Sequence, residues 1–472
     1  MDFLSDSVEA IASRVRAGEQ SAREVTQHAI DRIEALNPRL NAFVAWDGER
    51  ALAQADAIDA AVAAGGDPGP LAGVPMGVKD LEAVEGFTTS FGSALHAGDA
   101  PAHADSVHVA RYRAAGAVIM GKTNTPEYGH KGATDNVPFG QTVNPWSDQH
   151  SPGGSSGGTA TALASGMVPL GTGSDGGGSI RIPASLCGLS GLKTETARIP
   201  ITGRAMPGSG LLSANGPMGR SALDSAVALD AVVGPDGRDP LSLPHPGESW
   251  AERVRTAEPP ARVVWAPTFG FAEVDAEVAA SCRATVDALA AAGTEVIELD
   301  SIFGEDPVDQ WVVLWVVSRF KAQGHLIDTP EWDKVSDSIK PQIMMGANVS
   351  GVDFMRAQDA CYALNWQVED ALDQAPLILC PTAAGQAPRL GEDGTINGQA
   401  DVGWVKFTYG INMTRHPAGS VCTGLTEAGT PIGLQVIGRH QAEGDVLAAM
   451  AALETTISFD ARPPERGQTP FS

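Results

Sequence analysis

Residues 151–159, Ser151-Pro-Gly-Gly-Ser155-Ser156-Gly-Gly-Thr159, lead through an Ala-rich run into residues 171–183, Gly171-Thr-Gly-Ser-Asp175-Gly176-Gly177-Gly178-Ser179-Ile-Arg181-Ile-Pro183. Two serines, Ser155 and Ser179, each stand in a nest of glycines. Glycine lacks a Cβ, so main-chain N–H groups can approach a ligand closely there. Two such loops joined by a short helical stretch predict a site built from backbone, with one hydroxyl presented by each half.

Working outward, Val74 to Val78 reads as a short buried strand that delivers Lys79 at its end. Burial disfavours the charged form of an ammonium, so a lysine in this position can act as a base. Residues 105–116 read as a helix and Ala117 to Met120 as a strand. The polar loop Gly121-Lys-Thr-Asn-Thr-Pro-Glu-Tyr128-Gly129-His130 then lies where α/β folds place binding residues. Upstream, Ser21 and Glu24 form a capping box, and Asn37-Pro38 is expected to stop the helix behind it. A second helix is expected over about 47–64. Downstream, residues 203–220 read as a Gly/Pro/Ser loop and 223–233 as a helix, with 234–260 a long surface connection. A βαβ unit follows over 262–299. Residues 306–372 are helical and rich in aromatic and Met side chains, among them Trp311, Trp315, Met344, Met345, Tyr362 and Trp366. Strands at 377–380 and 431–437 and a helix at 442–456 return the chain to α/β, and an irregular tail runs from Ala461.

The whole chain sets further bounds. It has 472 residues, 43% hydrophobic and 19% charged, an ordinary globular mix. Its net charge of −25, with no Lys/Arg cluster, argues against nucleic-acid binding. The five cysteines are scattered, odd in number and without metal-ligand spacing, which fits a reducing compartment. The start lacks a signal-peptide pattern, and no apolar run approaches the ~20 residues of a membrane span. These features predict a cytoplasmic protein.

Several short motifs match locally and fail in context. Gly171-x-Gly173-x-x-Gly176 fits the dinucleotide fingerprint, yet Pro183 follows too closely for the helix that site needs. Gly153-x-Ser155-x-Gly157 fits a nucleophile elbow, but a poor strand precedes it and further glycines crowd it. Ser190-x-x-Lys193 lacks the partner motifs of penicillin-recognising enzymes. What remains is a serine nucleophile without a histidine. Ser179, after three glycines, suits a nucleophile beside backbone oxyanion donors, and Ser155 could relay its proton to Lys79.

Many of these pieces occur together in one order. Gly73-Val-Pro-x-x-Val-Lys79-Asp80, Gly121-Lys-Thr-Asn-Thr-Pro-Glu, Phe139-Gly-Gln-Thr-Val-Asn-Pro-Trp146, Pro152-Gly-Gly-Ser155-Ser-Gly-Gly, Gly173-Ser-Asp175-Gly-Gly-Gly-Ser179-Ile-Arg181-Ile-Pro-Ala, Cys187-Gly-Leu-x-Gly-Leu-Lys193 and Pro431-Ile-Gly-Leu-Gln-Val-Ile-Gly438 resemble the amidase signature family of serine hydrolases. The resemblance covers most of 20–220 and resumes at 377–456. It implies an α/β fold with a large mixed central sheet flanked by helices and a helical cap over the pocket. It implies one amidase domain over 1–472, divided into N-terminal helices (1–64), signature core (65–235), second α/β part (236–305), cap (306–372) and C-terminal return (373–472).

Carried onto this chain, the resemblance implies a catalytic triad of Lys79 as base, Ser155 as bridging serine after a cis peptide from Gly154, and Ser179 as nucleophile. It implies an oxyanion hole from Gly176, Gly177, Gly178 and Ser179, supporting roles for Ser156, Asp175 and Arg181, and no metal or cofactor. The 121–130 loop supplies Tyr128, Gly129 and His130 as expected substrate contacts. The implied substrate is a small amide, carbamate (as for a urethanase) or ester, bulky or aryl if the 306–372 stretch lines the pocket, and the implied assembly is a monomer or homodimer.

The rival within the family is the amidase component of a tRNA-dependent amidotransferase. Glu127-Tyr-Gly-His-Lys131 and Leu212-Ser-Ala-Asn-Gly-Pro217 depart from the pattern of that component and favour a stand-alone hydrolase. Residues 139–146 and 151–158 also resemble fatty-acid amide hydrolases, but without their N-terminal membrane helix.

Overall fold

The computed structural model describes residues 1–202, 210–457 and 462–464. An eleven-stranded mixed sheet runs through it. In chain order its strands are β1 (Phe43–Trp46), β2 (Pro75–Lys79), β3 (Val118–Thr123), β4 (Leu170–Asp175), β5 (Ser190–Lys193), β6 (Ala214–Gly219), β7 (Arg262–Trp265), β8 (Glu295–Glu298), β9 (Leu377–Pro381), β10 (Ala418–Leu425) and β11 (Pro431–Gly438). Across the sheet they lie β1-β3-β2-β4-β6-β5-β10-β11-β9-β7-β8. β2 runs parallel to both β3 and β4. β4 to β9 are joined by antiparallel pairs through β6, β5, β10 and β11, and β9, β7 and β8 are again parallel.

Side chains alternate across a strand, and here the alternation divides the core. Val263 and Trp265 of β7, with Leu377 and Leu379 of β9, enter one buried apolar cluster. Their neighbours Val264, Ile378 and Cys380 enter a second. Apolar residues on both faces of a strand are what a helix-covered sheet requires.

Several sequence expectations change. The helix behind the capping box does not stop at Pro38; it runs Ala22–Leu40 with Pro38 in its last turns, and Asn41, at φ 50°, ends it. Strand β1, four residues between two helices, is not among the expected elements. β4 reads in sequence as a glycine loop, but its glycines serve contact. A Cβ on Gly171 would lie 2.5 Å from Thr159 Cγ2, and one on Gly173 2.7 Å from Ile180 Cγ1. Within the expected 203–220 loop, 214–219 is strand β6, held on both sides by β4 and β5. Residues 203–209 and nearly all of the expected irregular tail lie outside the described residues. A short helix, Trp250–Arg255, interrupts the expected 234–260 connection. The 306–372 stretch is helical as expected, over Val308–Gln323, Lys340–Gly346 and Gly351–Leu372.

Candidate active site

Adjacent strands β2 and β4 carry the centre of the site. β2 ends in Lys79, whose backbone N–H donates to Thr172 Oγ1 of β4 at 3.0 Å. The Lys79 side chain is fully buried. Its Nζ lies 2.8 Å from Ser155 Oγ, 3.1 Å from Ser174 Oγ and 3.2 Å from the Ser174 carbonyl oxygen. Burial lowers its pKa to about 7, against the opposing pull of the Asp175 and Glu82 charges. The neighbouring Asp80 carboxylate pairs instead with buried Lys122, at 2.9 Å. Lys79 therefore sits among neutral oxygens and is readily deprotonated near neutrality.

The Gly154–Ser155 peptide is cis. It is followed by Ser156, which precedes the helix Gly157–Ala164. The Ser156 N–H donates to the Ser179 carbonyl at 3.1 Å, tying the two glycine loops together. Its own Oγ is buried with no partner among the described residues.

Asp175, at the end of β4, shapes the second loop. Its carboxylate accepts from the Gly178 N–H at 2.7 Å and the Ile180 N–H at 3.1 Å. It is paired with Arg181 at 2.9 Å, both fully buried. Burial opposes its ionisation, yet the Arg181 charge and hydrogen bonds hold it well below the usual carboxylate range. Arg181 is gripped in turn by Asn412 and Gln435, and the Asn412 amide returns a hydrogen bond to Asp175 at 2.9 Å. The Gly178 N–H thus already serves Asp175. Among the described residues, the N–H groups of Gly176, Gly177 and Ser179 make no hydrogen bond within the protein. A short helix, Arg181–Cys187, does begin directly after Ser179, with Pro183 tolerated in its first turn.

Ser155, Ser174, Gly176 and Ser179 line one cavity of about 270 Å³. Tyr128 and Gly129 line it too. A Cβ on Gly129 would lie 3.0 Å from Ser155 Oγ, so only glycine leaves that hydroxyl its space. His130 does not line the cavity. It is buried, with Nδ1 2.8 Å from the Glu127 carbonyl and Nε2 2.9 Å from Ser338 Oγ. The carbonyl only accepts, so Nδ1 carries the proton and Nε2 accepts from Ser338. Burial pushes its pKa down to about 3, so it is a neutral tie between the loop and Ser338.

The 306–372 stretch meets the site through the helix Val308–Gln323. The Trp311 indole N–H donates to the Gly176 carbonyl at 3.2 Å. Thr408 Oγ1 donates to the Gly177 carbonyl at 2.6 Å. Trp315, Arg319 and Gln323 line the cavity. The Arg319 guanidinium lies 4.1 Å over the Trp315 ring and donates to the Tyr128 carbonyl at 3.0 Å. Burial lowers its pKa to about 10, which leaves it cationic at neutral pH. Met344, Met345, Tyr362 and Trp366, expected as pocket lining, are exposed instead. Sequence reading misses Ser174, Arg319, Gln323, Asn412 and Gln435. The helical spacing of 311, 315, 319 and 323 is the available signal for the cap residues.

Among the described residues, Glu369, His416 and His440 bring ligand-capable atoms within 4.8 Å of one another. None lines the catalytic cavity. Their nitrogens are engaged by Glu369, Thr414, Glu195 and Asn365, and Arg439 binds Glu369. No helix among the described residues is long and apolar enough to cross a membrane.

Comparison with known proteins agrees with this geometry. An acylamidase of Rhodococcus erythropolis is 37% identical over 456 residues, 94% of each chain. A glutamyl-tRNA(Gln) amidotransferase subunit of Thiobacillus denitrificans is 33% identical, over 97% of this chain and 99% of its own. Among solved structures, a bacterial aryl acylamidase of the amidase signature family superposes with a TM-score of 0.89 at 30% identity, over 96% of both chains. A 6-aminohexanoate cyclic dimer hydrolase, solved with substrate, reaches 0.87 at 29%, over 98% of this chain and 99% of its own. The Amidase family profile spans residues 24–447. With the lysine, the two serines and the glycine loops in place on a matching sheet, the chain belongs to the amidase signature family and is an amide-hydrolysing enzyme.

Proposed function

We propose that the protein is a stand-alone acylamidase that cleaves aryl or other bulky amides through an acyl-enzyme on Ser179. One observation carries the reading: Lys79, fully buried, has Nζ 2.8 Å from Ser155 Oγ and no carboxylate salt-bridge partner among the described residues. A neutral lysine has two N–H donors and one lone pair. If the Ser174 carbonyl and hydroxyl take the two donors, the lone pair faces Ser155 and can accept its proton.

Acylation follows from that arrangement. Ser179 Oγ attacks the substrate carbonyl carbon, its proton passes to Ser155, and the Ser155 proton passes to Lys79. The N–H groups of Gly176, Gly177 and Ser179 are the donors available to the oxyanion, since Gly178 serves Asp175. The C–N bond then breaks as the proton returns through Ser155 to the leaving nitrogen. Water attacks the ester by the same relay, giving the carboxylic acid and free Ser179. Carbamates and esters share the acylation step and join the substrate panel.

The aromatic walls Phe91, Tyr128 and Trp315 support an aryl substrate, as does the likeness to a bacterial aryl acylamidase. The test is to label Ser179 with a sulfonyl fluoride and to compete with anilides, carbamates, esters and acetamide. Protection by anilides and their hydrolysis to aniline are expected. Labelling elsewhere, or hydrolysis of acetamide in preference to anilides, overturns the reading.

A further inference from the structure

We propose that Gln323 is a specificity-determining residue, whose side-chain amide binds an uncharged polar substituent of the substrate beyond the scissile bond. The inference rests on the amide-hydrolase reading of the cavity given above. Helix Val308–Gln323 presents positions 311, 315, 319 and 323, spaced by four, along the site. Trp311 touches the nucleophile loop at Gly176, while Trp315, Arg319 and Gln323 line the cavity. At about 1.5 Å per residue, Gln323 lies about 12 Å further along the axis than Trp315. It therefore stands at the end of this row remote from the nucleophile loop.

Three other polar groups of this helix have protein partners. The Trp315 indole N–H donates to Gln342, Ser318 Oγ donates to the Trp315 carbonyl, and Arg319 donates to the Tyr128 carbonyl. Gln323 differs. It is 6% exposed, and its Oε1 is buried without a hydrogen-bond partner among the described residues. A buried amide left unsatisfied is costly, and a bound group that completes it recovers that cost. Rotation about the terminal torsion exchanges the amide's C=O and NH₂ ends within the same volume, so it can meet a donor or an acceptor. Whichever end that rotation turns to the cavity can be met by water in the free enzyme, and a substrate that displaces this water must replace its hydrogen bonds. A ring held among Phe91, Tyr128 and Trp315 with a hydroxyl or carboxamide toward Gln323 does so; a methyl does not.

The test compares hydroxyl- and methyl-substituted acetanilides matched at each ring position, with the full-length enzyme. The wild type is expected to favour the hydroxyl member by about ten-fold in kcat/KM at one position at least. Gln323→Met and Gln323→Leu are expected to abolish that preference. The readout is a ratio within one enzyme sample, so partial misfolding of a variant does not imitate the effect. Equal kcat/KM at every position in the wild type, or a preference that survives both substitutions, overturns the proposal alone. Failure to hydrolyse either member, with Ser179 unlabelled, overturns the underlying functional reading and this proposal with it.

Discussion

Ser174 offers Lys79 two oxygens from a single residue, its hydroxyl at 3.1 Å and its carbonyl at 3.2 Å. The pair orients the ammonium or amine so that its remaining valence points at Ser155. Ser174→Ala removes the hydroxyl and keeps the carbonyl. An acceptor stabilises the protonated lysine, so its loss lowers the Lys79 pKa further. The expected result is a fall of about ten-fold in kcat/KM, with the acidic limb of the pH profile moved to lower pH. A profile that keeps its midpoint would refute the orienting role.

In the proposed mechanism the neutral form of Lys79 is the active base. Its folded pKa, about 7, is below the ordinary lysine value of 10.5. Thus kcat/KM should rise with pH through about 7 and level off above it. Lys79→Ala and Ser179→Ala should each abolish turnover while circular dichroism and elution volume stay native. A Lys79→Ala enzyme with near-wild-type rate at neutral pH contradicts the assignment.

The same burial has a cost in stability, and its sign can be worked out. Between pH 7 and 10.5 the unfolded chain holds the Lys79 proton and the folded chain does not. Stability from this residue therefore increases with pH across that window. Below it both states are protonated and the full penalty applies. Lys79→Met, which keeps the volume and removes the charge, is expected to stabilise the inactive protein by about 1–4 kcal/mol at neutral pH and below. The gain should shrink as pH approaches 10.5. Urea unfolding at several pH values measures it.

Asp175 and Arg181 form a fully buried pair that also fixes the N–H groups of Gly178 and Ile180. Asp175→Ala strands the guanidinium in the core and should destabilise the fold by about 3–5 kcal/mol. Adding Arg181→Met should recover part of that stability without restoring activity, because the loop still lacks its anchor. Chemical denaturation and turnover of the single and double variants separate the two effects.

Trp311 contacts the nucleophile loop through a hydrogen bond to Gly176 and by packing, since a Cβ on Gly177 would lie 2.7 Å from its ring. Trp311→Phe keeps most of the ring and loses the donor. It should lower kcat by about ten-fold with little change in melting temperature. An equal fall in both would make the residue merely structural.

Much of the site is legible in the sequence, for local reasons. Lys79 stands out because an apolar strand ends in a charge, and Ser155 and Ser179 because glycine density is rare. Several helices and strands also follow from periodicity, and the large mixed sheet from the family resemblance. Strand β4 is illegible because its glycines answer to the close approach of Thr159 and Ile180, which stand near in sequence but are pressed against the strand only by the fold. His130 looks like a pocket residue because nothing nearby announces Ser338, its partner 208 residues away. The Asn412 and Gln435 grips on Arg181 are likewise long-range pairings.

Those last grips bear on synthesis. The loop that bears Ser179 is braced by side chains at positions 412 and 435, and its sheet closes only when β10 and β11 pair beside β5. A ribosome-bound chain that has emerged only through β6 carries all three reactive side chains but not their brace. Such a nascent chain is expected to be hydrolytically silent, so the nucleophile is armed only after nearly the whole polypeptide has been made.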